Sequence, residues 1–211
     1  MSKRLIKNFL RCNSPINITL QQGDAKSMKT VGDKVTQFKM TGVRPGQPDD
    51  PFFTIDETSF SNKWKVLVFY PKDFTFVCPT EIVEYDSLND EFESRNAVLL
   101  TGSTDNEFCK LAWQREHPGL GQIKHVQFAD TERELPTGEN YSLCQQLGIF
   151  FNPAGACLRA TFIVDPKNVI QHVTVNDLST GRSAHETLRV LDAIQAGANT
   201  PAGREVGGCT L

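Results

Sequence analysis

An apolar run, Val66-Leu67-Val68-Phe69-Tyr70, gives way within a few residues to a helical pattern that opens near Pro79, and Cys78 stands at the junction. No other feature constrains the fold as tightly. A short unbroken run of β-branched and aromatic residues specifies a buried strand. Downstream, Ile82, Tyr85, Leu88 and Phe92 recur at the spacing of a single helical face. A helix that follows directly on a buried strand must pack back onto the sheet, which selects layered α/β structure. The first turn of a helix carries unpaired N–H groups and the positive end of the macrodipole. A cysteine placed there is favoured as a thiolate and is positioned as a nucleophile rather than as packing.

The rest of the chain extends the same alternation. Strands are expected at 64–70, 97–101, 124–128, 160–165 and 169–175, and helices at 79–93, 105–116, 138–147 and 184–196. The last helix opens on Ser183-x-x-Glu186, a capping-box pattern. Asp165-Pro166-Lys167-Asn168 between two strand runs reads as a hairpin turn, which makes the sheet mixed rather than purely parallel. Residues 41 to 51 hold Gly42, Pro45, Gly46, Pro48 and Pro51 and read as an irregular loop.

Composition excludes several classes. The chain has 211 residues, 39% hydrophobic and 22% charged, enough for one domain with appendages. A formal net charge of -3 argues against a general nucleic-acid binder. No apolar run reaches the roughly 18–20 residues of a membrane span, and the basic N-terminus lacks the apolar core and cleavage site of a secretory signal. Cysteines stand at 12, 78, 109, 144, 157 and 209 without any Cys-x-x-Cys. Neither a zinc ribbon nor a thioredoxin-type dithiol fits, no metal or cofactor is expected, and a cytoplasmic location is the simplest account.

The pattern Pro-x-x-x-Thr-x-x-Cys, here Pro71, Thr75 and Cys78, resembles the active-site signature of peroxiredoxins. The longer string from Phe69 to Ile82, which includes Pro79-Thr80-Glu81, is similar to the typical two-cysteine branch containing the alkyl hydroperoxide reductase C subunit. Phe108-Cys109-Lys110-Leu111-Ala112-Trp113, Arg159-Ala160-Thr161-Phe162-Ile163-Val164-Asp165 and Val175 to Ser183 resemble further segments of that branch, in the same order. The resemblance implies a thioredoxin-like fold with a mixed central sheet flanked by helices. It further implies a thiol-specific peroxidase that reduces hydrogen peroxide and organic hydroperoxides through a sulfenic acid at Cys78. Arg159 then stands at the family's arginine position, Pro71 shields the thiolate, and Glu81 and Arg182 hold the arginine and its loop. Taken singly, Pro71 ends a strand, Thr75 serves local backbone groups and Arg159 is a solvated charge; only the constellation assigns them.

In that branch a second cysteine, usually in a Val-Cys-Pro triplet of a C-terminal arm, resolves the sulfenic acid on the partner subunit. This chain ends instead in Glu205-Val206-Gly207-Gly208-Cys209-Thr210-Leu211. Cys209 is the candidate resolver and Cys144 its rival; Cys109 is assigned to packing and Cys157, next to Arg159, to a loop or strand edge. The expected organisation is an N-terminal extension over 1–30, a peroxidase domain over 31–196 and a flexible arm over 197–211. The resemblance also implies a homodimer that can assemble into a decameric ring, and a holdase chaperone role beside the catalytic one. A disulfide reductant is required as well: a thioredoxin-like protein, a flavoprotein reductase or a small dedicated partner.

Overall fold

The computed structural model describes residues 27–131 and 142–211. Its elements run β1 (Lys39–Val43), β2 (Phe52–Asp56), β3 (Trp64–Phe69), α1 (Cys78–Ser87), α2 (Asn89–Ser94), β4 (Ala97–Ser103), α3 (Glu107–Glu116) and β5 (Val126–Ala129). They continue with α4 (Leu143–Gln146), β6 (Phe150–Phe151), β7 (Ala156–Cys157), β8 (Arg159–Val164), β9 (Ile170–Asn176) and α5 (Ala184–Gln195). Seven strands form one sheet in the order β2-β1-β5-β4-β3-β8-β9, and β6 and β7 make a separate small hairpin. β3, β4 and β5 are parallel, whereas β8 returns antiparallel to β3 and β9 antiparallel to β8. The sheet is therefore mixed, and the expected turn over 165–168 joins β8 to β9, with Asn168 taking a positive φ of 63°.

Alternation along β3 sorts the two faces. Val66 and Val68 pack with Tyr85, Phe92, Leu188 and Leu191, which seats α1, α2 and α5 on one side. Leu67 and Phe69 pack on the opposite side with Met40, Ile55, Phe128, Leu143 and Leu147. α5 buries Ala184, Thr187, Leu188 and Leu191 at helical spacing, and the Ser183 hydroxyl accepts from the Glu186 N–H to cap it. Each of the two leucines contributes about 1.5–3 kcal/mol by leaving water.

Three expectations are corrected. Residues 41–43 are not loop but the second half of β1, which sits between β2 and β5 and pairs antiparallel with both. Gly42 is there for packing: a Cβ would lie 2.5 Å from the Phe53 ring and 2.8 Å from Ile55. The single helix over 79–93 is two helices, broken at Leu88 (φ -104°, ψ 10°), and the break lets Tyr85 and Phe92 stack in one core. Of the helix over 138–147, α4 supplies 143–146, and residues 138–141 lie outside the described residues. Among the described residues no helix is long and apolar enough to cross a membrane.

Candidate active site

Cys78 is the first residue of α1. Pro79 follows it in the first turn, where a missing N–H costs nothing and a fixed φ suits the helix. Val77 at the N-cap offers no side-chain oxygen and makes no side-chain cap hydrogen bond. The Cys78 thiol is 1% exposed and packs with Tyr70, Ile82, Trp113, Leu120 and Ile123.

Charge reaches this apolar setting from β8. Arg159 Nη1 lies 3.4 Å from Cys78 Sγ and 2.7 Å from Glu81 Oε2, and its Nε donates to the Leu178 carbonyl at 2.7 Å. Glu81 follows Cys78 by one helical turn on the same face, so helical spacing itself aims the carboxylate at the arginine. Arg182 completes the group. Its backbone N–H and Nε both donate to Glu81 Oε1 at 2.8 Å, its Nη2 donates to Oε2 at 3.1 Å, and its Nη1 donates to Thr161 Oγ1 at 3.1 Å. Glu81, Arg159 and Arg182 are 2%, 3% and 7% exposed. Burial by itself raises the Glu81 carboxyl, but the hydrogen bonds and charge of Arg182, with the charge of Arg159, outweigh it and hold the carboxyl below its ordinary value. A carboxylate shared by two guanidinium groups fixes both, and one of them then reaches the sulfur.

Pro71 is buried where β3 ends, and the Thr75 hydroxyl donates to the Lys72 carbonyl at 3.0 Å. Between them Phe74 holds a positive φ of 54°. The structure thus gathers Cys78, Glu81, Arg159 and Arg182 into one contact group, with Pro71 and Thr75 on the loop leading into α1. Cys209 lies elsewhere. It is exposed, on a segment that folds back along α5: Arg204 Nη1 is 2.6 Å from Asp192 Oδ2, and the Gly207 N–H donates to the same oxygen at 2.9 Å. Asp192 stands roughly 14 Å along the helix axis from Ser183.

The remaining cysteines of the described residues are also free thiols. Cys144 and Cys157 are fully buried. Burial, then the charges of Asp130 and Cys157, pushes the Cys144 thiol far up; burial and Asp130 push the Cys157 thiol up to about 12. Cys157 Sγ donates to the Tyr70 carbonyl at 2.9 Å.

Comparison with known proteins settles the family. The model of the AhpC/TSA family matches residues 31–173, a span that holds Pro71, Thr75, Cys78, Glu81 and Arg159. The chain belongs to this family. It is a peroxiredoxin, a thiol-dependent peroxidase. It is similar to alkyl hydroperoxide reductase C of Mycolicibacterium smegmatis, 40% identical over 178 residues that cover 81% of this chain and 87% of that one. Peroxiredoxin prdx-2 of Caenorhabditis elegans is 38% identical and covers 78% of each chain. Among solved structures, Mycobacterium tuberculosis AhpC aligns with a TM-score of 0.71 at 39% identity, over 81% of this chain and 96% of that one. The reduced 2-Cys peroxiredoxin of Plasmodium vivax aligns with a TM-score of 0.74 at 35% identity, over 86% and 92%. The thioredoxin-like fold expected for this peroxiredoxin is the fold observed.

Sequence reading assigned no role to Asp73 or Lys110, which form a buried pair at 3.0 Å behind the loop of this peroxiredoxin. One signal was available: Lys110 precedes Trp113 by one turn, on the face of α3 that the tryptophan buries.

Proposed function

We propose that this peroxiredoxin reduces hydrogen peroxide and small organic hydroperoxides through Cys78. The thiolate attacks one peroxide oxygen in line with the O–O bond, which breaks. The sulfur becomes a sulfenic acid, and the second oxygen leaves as hydroxide or alkoxide and takes up a proton. The observation that carries this reading is the Arg159 guanidinium, 3.4 Å from Cys78 Sγ and fixed by Glu81. A donor held there before the reaction stabilises the charge that develops as the bond breaks. The Thr75 hydroxyl, its proton given to the Lys72 carbonyl, offers an acceptor oxygen to the O–H of the hydroperoxide, and Pro71, having no N–H, walls the sulfur from water. Replacing Cys78 by Ser abolishes peroxide consumption in a reductant-coupled assay; a variant that retains the wild-type rate refutes the reading.

The sulfenic acid then condenses with the Cys209 thiol of a second copy, losing water and forming a disulfide. Exposure of Cys209 supports this choice, as does the burial that holds Cys144 in its neutral, unreactive form. A disulfide reductant, whether a thioredoxin-like protein, a flavoprotein reductase or a small dedicated partner, returns both thiols. Exposed Phe74 and Phe76 on the loop that leads into α1 support association between copies, with the homodimer as the minimal unit. Mass spectrometry of peroxide-treated protein without reductant identifies the resolver: a Cys78–Cys209 peptide is expected, and a Cys78–Cys144 peptide transfers the role to Cys144.

A further inference from the structure

Behind the loop that carries Pro71 and Thr75 lies a closed polar cluster to which the chemistry above gives no part. Lys110 of α3 is fully buried. Its Nζ donates to Ser103 Oγ at 2.8 Å, to Asp73 Oδ1 and Oδ2 at 3.0 and 3.3 Å, and to Tyr70 Oη at 3.3 Å. The Asp73 side chain is 1% exposed and also accepts from Ser103 Oγ at 3.1 Å. The Asp73 backbone is fixed independently, its N–H donating to Asp105 Oδ2 at 2.7 Å. Tyr70 Oη in turn accepts from Gln127 Nε2 at 3.3 Å, and its ring packs in the cluster that holds Cys78.

A second observation gives this cluster a purpose. The residue after Asp73 is Phe74, whose φ of 54° lies in the left-handed region that an aromatic L-residue avoids. Such a turn persists only where its surroundings over-determine it. Here Asp73 is clamped on one side and Thr75 closes onto the Lys72 carbonyl on the other. The Phe74 ring rests on Trp113 with centroids 5.8 Å apart. Lys110 and Trp113 are one turn apart on α3, so a single helix face grips both ends of the Asp73–Phe74 pair.

We propose that Lys110 is a positioning residue for the peroxide reaction: its buried ion pair with Asp73 holds the left-handed turn at Phe74 and thereby sets the frame in which Thr75 and Cys78 meet the peroxide. The inference rests on the reading that Cys78 attacks peroxide. Without the Lys110 charge, Asp73 is a buried carboxylate with no counter-ion, which is strongly unfavourable. The aspartate then swings toward water and takes the strained turn with it. Cys78 itself stays on α1, held by the helix and by Arg159.

Two rates separate this from a general loss of structure. Stopped-flow kinetics measures the second-order constant for oxidation of Cys78 by hydrogen peroxide, and iodoacetamide labelling measures the intrinsic reactivity of the same thiol across pH. In Lys110→Met the peroxide constant is expected to fall roughly 10- to 100-fold, the scale set by displacing a positioned group about 1 Å. Alkylation is expected to stay within about threefold of wild type with an unchanged pH midpoint, because the thiol is not moved. In the double variant Asp73→Asn/Lys110→Met no charge is left stranded, and the peroxide constant is expected to rise at least about fivefold above that of Lys110→Met, a coupling that two independent sites do not show. A peroxide constant in Lys110→Met within twofold of wild type overturns the proposal, and so do peroxide and alkylation rates that fall together. If Lys110→Met does not fold, Asp73→Asn alone meets the same two criteria or fails them. Wild-type peroxide consumption by Cys78→Ser would instead remove the reading beneath.

Discussion

Replacing Glu81 by Gln removes the one negative charge that two buried guanidinium groups share. Glu81 accepts from Arg159 Nη1 at 2.7 Å, from the Arg182 N–H and Nε at 2.8 Å and from Arg182 Nη2 at 3.1 Å, all at 2% exposure. Glutamine keeps the shape and one acceptor oxygen, but Arg159 and Arg182 remain as uncompensated buried cations. Breaking a buried pair in this way costs about 3–5 kcal/mol. With a urea m-value of about 2–3 kcal/mol/M for a chain of this size, the denaturation midpoint is expected to fall by roughly 1–2.5 M at pH 7. The pH dependence has a definite sign. The Glu81 carboxyl is held below its ordinary 4.5 in the folded state. Its contribution is therefore complete above the unfolded value and is lost as pH falls through the folded one. The gap in midpoint between wild type and Glu81→Gln should be widest at pH 6–7 and narrow on acidification below about 4.5. Urea titrations followed by circular dichroism at pH 7, 5 and 4 test both parts. A midpoint within about 0.3 M of wild type at pH 7 would show that the carboxylate is not what holds the two arginines. A gap that stays constant with pH would refute the linkage.

Two further outcomes concern the cysteines outside the site. Asp192 receives Arg204 at 2.6 Å and the Gly207 N–H at 2.9 Å, so Asp192→Asn loosens the segment that carries Cys209. Disulfide formation after a peroxide pulse, followed by quenched-flow labelling, should speed up by about tenfold, equivalent to about 1.4 kcal/mol of lost anchoring; an unchanged rate would mean that this anchor does not limit resolution. In native protein a chromogenic disulfide reagent should modify Cys209 rapidly and leave Cys144 and Cys157 untouched until urea unfolds the chain, because both are fully buried with their thiols pushed upward. Modification of either before unfolding would contradict their place in the core.

What could be read from the chain beforehand follows from where each instruction resides. β3, β8 and β9 are written locally, in apolar runs bounded by turn residues, and α5 carries its own cap in Ser183. β1 is not, because Gly42 and the prolines after it read as loop when the glycine in fact makes room for Phe53 and Ile55 from the next strand. The break at Leu88 was equally hidden: the apolar spacing runs on through it, and the kink shows only in the stacking of Tyr85 on Phe92 across it. The site divides in the same way. Cys78 was legible because a strand-to-helix junction is a local event, and Glu81 lies one turn beyond it. Arg159 and Arg182 came from family resemblance, since nothing local marks an arginine as facing a thiol many tens of residues away.

Lys110 is the sharpest case. A lysine inside a helix ordinarily reads as solvated charge, and Asp73 as a polar loop residue. They meet because β3 and β4 are parallel neighbours, which brings the loop leaving β3 beside Ser103 and Asp105 where β4 ends. α3 then starts from that same edge and carries Lys110 over it. Ends of adjacent parallel strands are where open α/β sheets assemble sites from separate loops. Here that edge holds both the loop that leads to Cys78 and the buried Asp73–Lys110 pair beneath it. The positioning role proposed for Lys110 therefore depends on the sheet's topology more than on any single motif.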